Sequence, residues 1–163
     1  MTQAHRDTCL VAVGDAMPDA ELEDPAGEPA NLADYLGEKL TVVLFWSSSN
    51  PYAVEALAEL AAQAAGSLAD SGVAVVAVHV GEPDDEARSQ IESAGSAVDA
   101  LMDPQQTLFD QVATEGLPRI YLLGSDGSVL WFDIEHSQST LRQLETGVLV
   151  TLGSETSDGE TGT

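Results

Sequence analysis

The segment "VVLFWSSSNPYAVEALAEL", residues 42–60, places three serines and an asparagine between an apolar run and a helix-like repeat. Many folds position a nucleophile at such a turn between a strand and a helix. A serine becomes nucleophilic when a neighbouring base takes its proton, and this turn contains no histidine, lysine, cysteine or acid. The hydroxyl groups of Ser47, Ser48 and Ser49 therefore do not predict catalysis.

The dipeptide Asn50-Pro51 has a structural explanation. Asparagine is among the best residues for capping the start of a helix, and proline is favoured at the first helical position. We therefore predict that Asn50 caps a helix that begins at Pro51. The alternative, in which Asn50 binds a ligand or a partner, stays open.

The three histidines show neither the spacing of metal ligands nor a place in a catalytic triad. His79 ends an apolar run and is expected to satisfy a local hydrogen bond. His136 is expected to be a surface or capping residue of the last helix. The acidic residues show no calcium-loop pattern. We expect no Ser-His-Asp triad, no metal and no cofactor.

Cys9 is the single cysteine, so an internal disulfide is impossible. We interpret it as an unpaired cysteine of a leader segment. The alternatives are a displaced redox thiol, an intermolecular disulfide or a modification site.

The composition, 163 residues with 44% hydrophobic content, predicts one domain with a sizeable core. The chain carries 28 acids against 5 bases, a net charge of −23, which would repel nucleic acid and anionic membranes. It contains neither an apolar run long enough to cross a membrane nor a signal-like leader, so we expect a cytoplasmic protein. The dispersed acids predict a solvated acidic surface.

The hydrophobic patterns predict an α/β fold. "LTVVLFW" (40–46) and "SGVAVVAVHV" (71–80) are typical of strands buried on both faces. "PRIYLLGSDGSVLWFDI" (118–134) predicts two strands joined at Ser125-Asp126-Gly127. Extended pieces are expected around "EDPAGEP", followed by a helical turn that Asn31 or Asp34 caps and that ends at Gly37. Helices are expected from Pro51 for about four turns, over 83–95 with Pro83 in the first turn, over 105–114 and over 137–152.

These elements follow the order β, α, β, α, α, β, β, α, which predicts a mixed central sheet flanked by helices on both faces. We divide the chain into a flexible leader (1–12), one domain (13–152) and a disordered acidic tail (153–163).

Three motifs, in this order and spacing, resemble the thioredoxin superfamily, specifically the redoxin branch with its TlpA-like thiol-disulfide oxidoreductases and alkyl hydroperoxide reductase-like proteins. "VGDAMPDAELEDPAGEPANLADYLGEK" (13–39) is similar to the redoxin-type N-terminal extension. Residues 42–60 are similar to the family's strand, tryptophan and active-site helix. "EGLPRIYLLGSDGSVLW" (115–131) is similar to the segment whose proline is cis and faces the active site. The resemblance covers roughly residues 13–152 and implies a thioredoxin-like fold.

The chain departs from the family at the active site. Family members carry Cys-x-x-Cys in the first turn of the helix, where the positive end of the helix lowers the pKa of the first sulfur. Matching Phe45-Trp46 puts Asn50 at the nucleophile position and Ala53 at the resolving position. Ser47 matches a hydroxyl that peroxide-reducing relatives place three residues before their cysteine. An amide is not a redox group, so we expect no catalytic residue here.

The resemblance also implies a shallow face on which redox-active relatives hold an extended peptide beside the proline. Core packing explains Trp46 equally well. Arg119 is more readily explained by a surface salt bridge than by an acidic ligand. The candidate binding face comprises Trp46, Ser49, Asn50, Pro51, Tyr52, Leu117 and Pro118.

The leading hypothesis is a redox-inactive thioredoxin-like protein that keeps this face for a peptide or protein partner in a redox or protein-folding context. The alternative is a thiol-disulfide oxidoreductase or peroxidase-type antioxidant protein that uses Cys9 or a partner thiol. A third hypothesis is a drifted paralogue whose fold survives for assembly. The sequence leaves the oligomeric state open.

The excess of acids over bases predicts a protein adapted to high salt, because salt screens the self-repulsion of a highly charged chain. We expect the melting temperature to rise between dilute buffer and molar salt. Thermal unfolding followed by circular dichroism across that range measures the effect, and a melting temperature that does not rise would contradict the hypothesis.

Overall fold

One mixed sheet organises the chain. The computed structural model describes residues 3, 7–66, 68, 72–115, 117–134, 143–144, 146–148 and 150. The strands of the sheet, in chain order, are β1 (Glu21–Glu23), β2 (Pro29–Asn31), β3 (Leu40–Trp46), β4 (Val73–Val80), β5 (Asp99–Asp103), β6 (Arg119–Gly124) and β7 (Val129–Ile134). Their spatial order is β2-β1-β5-β4-β3-β6-β7. The predicted α/β class, with a mixed central sheet, is confirmed.

Strand β3 lies at the centre of the sheet, and all seven of its residues are buried. It pairs in parallel with β4 and antiparallel with β6, and β6 pairs antiparallel with β7. The continuous run of large and β-branched side chains favours this position, because a central strand buries both of its faces. The sequence-based prediction of a doubly buried strand over 40–46 is confirmed.

The helices agree with the predictions in kind but differ in their limits. They are α1 (Pro51–Ala65), α2 (Asp85–Ala94) and α3 (Phe109–Val112), and a short 3-10 helix spans Leu32–Tyr35. Helix α2 starts after an Asp84 cap, so Pro83 precedes the helix instead of lying in its first turn. Helix α3 is one turn long and does not extend over 105–114. Asn31 occupies the N-cap position of the 3-10 helix without a side-chain hydrogen bond.

The side chains on the two faces of β3 belong to two separate hydrophobic clusters. Val42, Leu44 and Trp46 pack with α1 and α2 on one face. Val43 and Phe45 pack on the other face with α3 and with the segment that precedes β3. Side chains of successive strand residues point to opposite faces, so seven apolar residues in a row supply both clusters. Helices therefore flank both faces of the sheet, as predicted.

Strand β5 is an element that the sequence-based prediction missed. It pairs in parallel with β4 and antiparallel with β1, so it joins the N-terminal β1–β2 pair to the rest of the sheet. Its terminal residue Asp103 is 1% exposed, and its Oδ2 accepts the backbone N–H groups of Leu108 and Phe109 at 3.0 and 2.8 Å. A buried carboxylate at this place satisfies orphan donors at the start of α3.

The predicted hairpin between β6 and β7 is confirmed. The Gly127 N–H donates to the Gly124 carbonyl at 2.9 Å, and Gly127 has a φ of 82°, a value that glycine adopts without steric cost. Asp126 stabilises the turn because its Oδ1 accepts the Ser128 N–H at 3.0 Å.

The segment predicted as a flexible leader makes specific contacts where it is described. Leu10 N–H donates to the Val112 carbonyl and Thr114 N–H to the Thr8 carbonyl, each at 2.9 Å, while Val11 is buried in the core. Of the predicted closing helix, residues 143–144, 146–148 and 150 are described and are helical. The rest of it, and the predicted tail 153–163, lie outside the described residues. None of the helices in the described ranges combines the length and the apolar character that a membrane span requires.

Candidate functional site

Asn50 forms the start of α1 and confirms the predicted cap. Its Oδ1 accepts the backbone N–H groups of Tyr52 and Ala53 at 3.0 and 3.2 Å, and Pro51 occupies the first helical position. The oxygen therefore satisfies two of the N–H groups that a helix start leaves without partners.

The other end of the same amide holds the proline loop. Asn50 Nδ2 donates to the Leu117 carbonyl at 3.1 Å, across 67 residues of sequence. The peptide bond between Leu117 and Pro118 is cis, as the family resemblance implies. One side chain therefore joins the helix start to the loop that precedes β6.

The two positions that hold sulfur in redox-active relatives have different environments. Asn50 is half-buried, whereas Ala53 lies in the first turn of α1 and is fully buried. Neither side chain carries a group that can be oxidised and reduced reversibly. The site keeps the architecture of a strand, a turn and a helix, and it has no sulfur at either position.

The candidate binding face is partly exposed. Tyr52 is 68% exposed and stands beside exposed Ser49 and Pro51, whereas Leu117 is half-buried. Pro118, in contrast, is buried. The exposed aromatic ring and the loop in front of the proline are what a partner would meet.

Trp46 does not belong to the exposed face. It is fully buried among the α1-side core residues, so core packing is the correct one of the two interpretations. Its ring meets the His79 imidazole edge to face with centroids 4.9 Å apart. Its indole Nε1 finds no hydrogen-bond partner among the residues that the structure describes.

An open groove of about 480 Å³ runs beside Asn50 on the α3 side of the sheet. Its walls are mainly neutral and polar, and Glu115 is the one charged residue that lines it within the described ranges. This polarity distinguishes the groove from small-molecule pockets, which are lined predominantly by apolar and aromatic side chains. The lining residues are Ser47, Ser49, Asn50, Val80, Gln106, Phe109, Thr114, Glu115 and Leu117.

Ser48, His79 and Asp84 form a polar cluster on the opposite side of the turn. Ser48 Oγ donates to Asp84 Oδ1 at 2.8 Å, and the Ser48 N–H donates to His79 Nε2 at 3.2 Å. The serine proton thus goes to a carboxylate, and the lone pair of the imidazole already accepts a backbone N–H group. The three side chains are those of a Ser-His-Asp triad. In a triad, however, the serine hydroxyl donates to the histidine and the histidine donates to the aspartate, whereas here the serine hydroxyl donates to the aspartate.

Burial lowers the pKa of His79 below 6.5, outweighing the hydrogen bond to Gly81 and the attraction of Asp84, both of which raise it. The predicted local hydrogen bond of His79 is confirmed, since Nδ1 lies 3.0 Å from the Gly81 carbonyl oxygen.

The prediction that Arg119 makes a surface salt bridge is wrong, because the residue is fully buried. Its guanidinium lies 3.6 Å from Cys9 Sγ and also donates to Thr8 Oγ1 and to the Glu115 carbonyl. Its contact with Tyr121 Oη is 3.5 Å long. A buried cation needs acceptors around it, and the N-terminal segment supplies two of them.

Sequence reasoning missed the proximity of Cys9 to Arg119, because the two residues are 110 positions apart. The half-exposed Cys9 sits in an isolated antiparallel bridge to Ala113, next to Thr114 and Glu115 of the groove wall. Among the residues with described positions, no group of three or more histidine, cysteine, aspartate or glutamate side chains could hold a metal ion.

The model of the AhpC/TSA family matches residues 13–132, more than half of the chain. No curated protein matches this chain.

Several solved structures share the fold. A proposed thiol:disulfide interchange protein DsbE from Chlorobium tepidum has 22% identity and a TM-score of 0.68, covering 87% of this chain and 99% of its own. The thioredoxin domain of a thiol-disulfide oxidoreductase from Bacteroides vulgatus has 18% identity and a TM-score of 0.68, covering 85% and 99%. Peroxidoxin BcpB from Mycobacterium tuberculosis has 20% identity and a TM-score of 0.68, covering 88% and 97%. At these identities the likeness concerns the fold.

The contacts of Asn50 predict the effect of replacing it. We expect Asn50→Ala to lower the free energy of unfolding by about 1–2 kcal/mol, because the cap is lost. Asn50→Ser keeps a capping hydroxyl but cannot reach the Leu117 carbonyl, so it should cost less than Asn50→Ala while shifting the amide signals around Leu117. Urea denaturation measures the first effect and heteronuclear NMR the second. Equal stabilities of the alanine variant and the unmodified protein would contradict the role of the cap.

Proposed function

The chain belongs to the AhpC/TSA family, and we propose that it is a redox-inactive member that uses the former active-site face to bind a peptide or protein partner. The observation that carries the proposal is the Asn50 amide, which occupies the nucleophile position and is hydrogen-bonded at both ends. It maintains the geometry of the junction without providing a reactive group. Membership of the AhpC/TSA family supports a redox or protein-folding context for this proposed function.

The exposed parts of the face supply the means of binding. Tyr52 offers a large exposed ring at the first turn of α1, and aromatic anchors of this kind often dominate the energy of an interface. The adjoining groove offers the hydroxyl groups of Ser47, Ser49 and Thr114 and the amide of Gln106 as hydrogen-bonding groups. An extended segment can satisfy its backbone against such a wall.

The charge of the protein favours a partner with basic residues. The net charge is −23, and Glu115 contributes a carboxylate to the groove itself. An acidic or anionic partner meets repulsion over the whole surface, whereas a cationic segment is attracted. We therefore propose that the bound segment carries lysine or arginine near Glu115.

Restoring the sulfurs tests the proposed loss of redox activity. The unmodified protein and its Cys9→Ser variant should neither reduce insulin disulfides nor consume hydrogen peroxide in the presence of dithiothreitol. The double variant Asn50→Cys with Ala53→Cys should gain disulfide reductase activity, because the helix start stabilises a thiolate at position 50. The matched control, Asn50→Ser with Ala53→Ser, should stay inactive. Activity that survives Cys9→Ser would contradict the proposal, and an inert, folded double-cysteine variant would contradict the assignment of positions 50 and 53.

A peptide series tests the proposed binding. Extended peptides that differ at one position should bind in the order lysine, alanine, glutamate, and Glu115→Gln should reduce the preference for lysine by a few-fold, as for an exposed charge pair. Tyr52→Ala should weaken binding by about tenfold or more if the ring is an anchor. The control is Leu130→Ala, which removes a 40% exposed side chain of β7 outside the groove lining. NMR titration gives both affinity and location, and signals of the groove that stay unshifted by every peptide would contradict this function.

A second function is supported by one specific contact. Cys9 is half-exposed, and its sulfur faces the Arg119 guanidinium at 3.6 Å, beside residues of the groove wall. A thiol next to a cation is a suitable place for exchange with a partner's disulfide. Trapping of a mixed disulfide at Cys9, together with loss of activity on Cys9→Ser, would favour this function over the redox-inactive one.

A further inference from the structure

The Ser47–Asn50 turn, which forms one wall of the groove, is hydrogen-bonded to the imidazole of His79. His79 is 2% exposed, and its ring lies on the α1 side of the sheet, next to Trp46. Its Nε2 is 3.2 Å from the Ser48 backbone nitrogen and 3.4 Å from Ser48 Oγ. Ser48 lies between Ser47 and Ser49, both of which line the groove.

These contacts define the tautomer of the ring. A carbonyl oxygen can accept a hydrogen bond but cannot donate one, so the 3.0 Å contact with Gly81 requires a proton on Nδ1. A backbone N–H group can donate but cannot accept, so the contact with Ser48 requires a lone pair on Nε2. The geometry therefore fits one neutral form of the imidazole, with hydrogen on Nδ1.

Protonation is incompatible with that arrangement. A second ring proton on Nε2 would point at the Ser48 N–H group, and two donors would face each other at a half-buried position. The Ser48 N–H group would lose its acceptor, which costs free energy when water cannot replace it. The Ser48 hydroxyl, whose Oγ lies 3.4 Å from Nε2, can accept the new proton, so the Ser48 N–H group would turn away from the ring while the hydroxyl takes its place.

We propose that His79 is a proton-dependent latch on the Ser47–Asn50 turn, which holds the turn in its binding geometry while the ring is neutral and releases it on acidification. The consequence for a bound peptide rests on the proposed binding function. The latch itself is a property of the free protein.

The groups around the ring set the pH range of the latch. Its neighbours in register, Trp46 on β3 and Met102 on β5, do not titrate in this range. Asp84, just before α2, is the charged group that acts on the ring. The other charged side chains of α1 and α2 are exposed or half-exposed: Glu55, Glu59, Asp85, Glu86, Arg88 and Glu92.

Burial lowers the pKa of His79 below 6.5, so the latch is closed at neutral pH and opens in the acid range. The unfolded chain takes up this proton more readily than the folded one. The contribution of His79 to stability is therefore complete above pH 6.5 and is lost as the pH falls below that value. Hydrogen bonds from Ala87 N–H and Ser48 Oγ lower the pKa of Asp84, so its charge persists while His79 titrates.

Nitrogen NMR of the imidazole, without any peptide, is the direct test. At pH 7.5 the ring of His79 should show a protonated Nδ1 and an unprotonated Nε2. As the pH falls, the amide signals of Ser48, Ser49 and Asn50 should shift with the same midpoint as the ring. A proton on Nε2 at pH 7.5, or a ring that titrates while the Ser48 amide stays fixed, would overturn the proposal.

Two variants separate the latch from a general acid effect. Asp84→Asn keeps a capping side chain at α2 but removes the anion that favours protonation, so the shared midpoint should move to lower pH. His79→Gln keeps polar groups at this position without a titrating ring, so the turn amides should lose their acid transition. An unchanged midpoint in Asp84→Asn, or an unchanged transition in His79→Gln, would overturn the latch.

The same titration distinguishes a failed latch from a failed binding function. If the turn switches but no lysine-containing peptide binds at pH 7.5, the binding function is wrong and the latch stands. If such a peptide binds with an affinity that does not fall as His79 becomes protonated, the latch is wrong and the binding function stands.

Discussion

The side-chain amide of Asn50 is the interaction on which the geometry of the site depends. Its oxygen caps α1 and its nitrogen holds the carbonyl in front of cis-Pro118, so two loops 67 residues apart keep a fixed separation. The positive end of α1 would lower the pKa of a thiol at this position. The same positive end strengthens hydrogen bonds to the amide oxygen, so the feature that would activate a sulfur here stabilises the cap.

The turn around Asn50 lies between two buried basic side chains, one on each face of the sheet. Burial lowers the pKa of His79 and so favours the neutral ring, whose Nε2 lone pair accepts the Ser48 N–H group. Arg119 cannot lose its proton, so the chain surrounds it with acceptors drawn from the N-terminal segment and from Glu115. One side of the turn can therefore respond to pH, while the other is fixed by a permanent charge.

Local patterns predicted the parts of the fold that depend on local physics. The apolar run of β3, the Asn-Pro start of α1 and the Ser-Asp-Gly hairpin each combine a composition with a clear structural preference. Strand β5 lacked such a pattern, because it is five residues long and has an aspartate at each end. The buried Asp103 carboxylate is satisfied by α3, and this partner becomes visible only in three dimensions.

The sequence predicted which residues form the candidate site, but it did not predict which of them are exposed. Positions 50 and 53 followed from the resemblance, whereas the burial of Trp46 and Arg119 depends on what covers each face of the sheet. Trp46 lies under α1, which follows it closely in sequence. Its position in the sequence was therefore compatible both with the exposed binding face and with the core. Arg119 meets Cys9 across 110 residues, a contact that no local pattern encodes.

Ionic strength decides which features of the candidate binding face would select the proposed partner. In dilute salt the net charge of −23 attracts a cationic segment over a long range, whatever the shape of the groove. At about 1 M salt the screening length falls to about 3 Å, so attraction survives only between groups in direct contact. Glu115 would then act only on a residue of the proposed partner that touches it, and Tyr52 and the hydrogen-bonding groups of the groove would provide most of the discrimination between partners. Under the proposed adaptation to high salt, binding would therefore depend on the position of the turn more than on long-range attraction, and the hydrogen bonds of Asn50 and His79 hold that position.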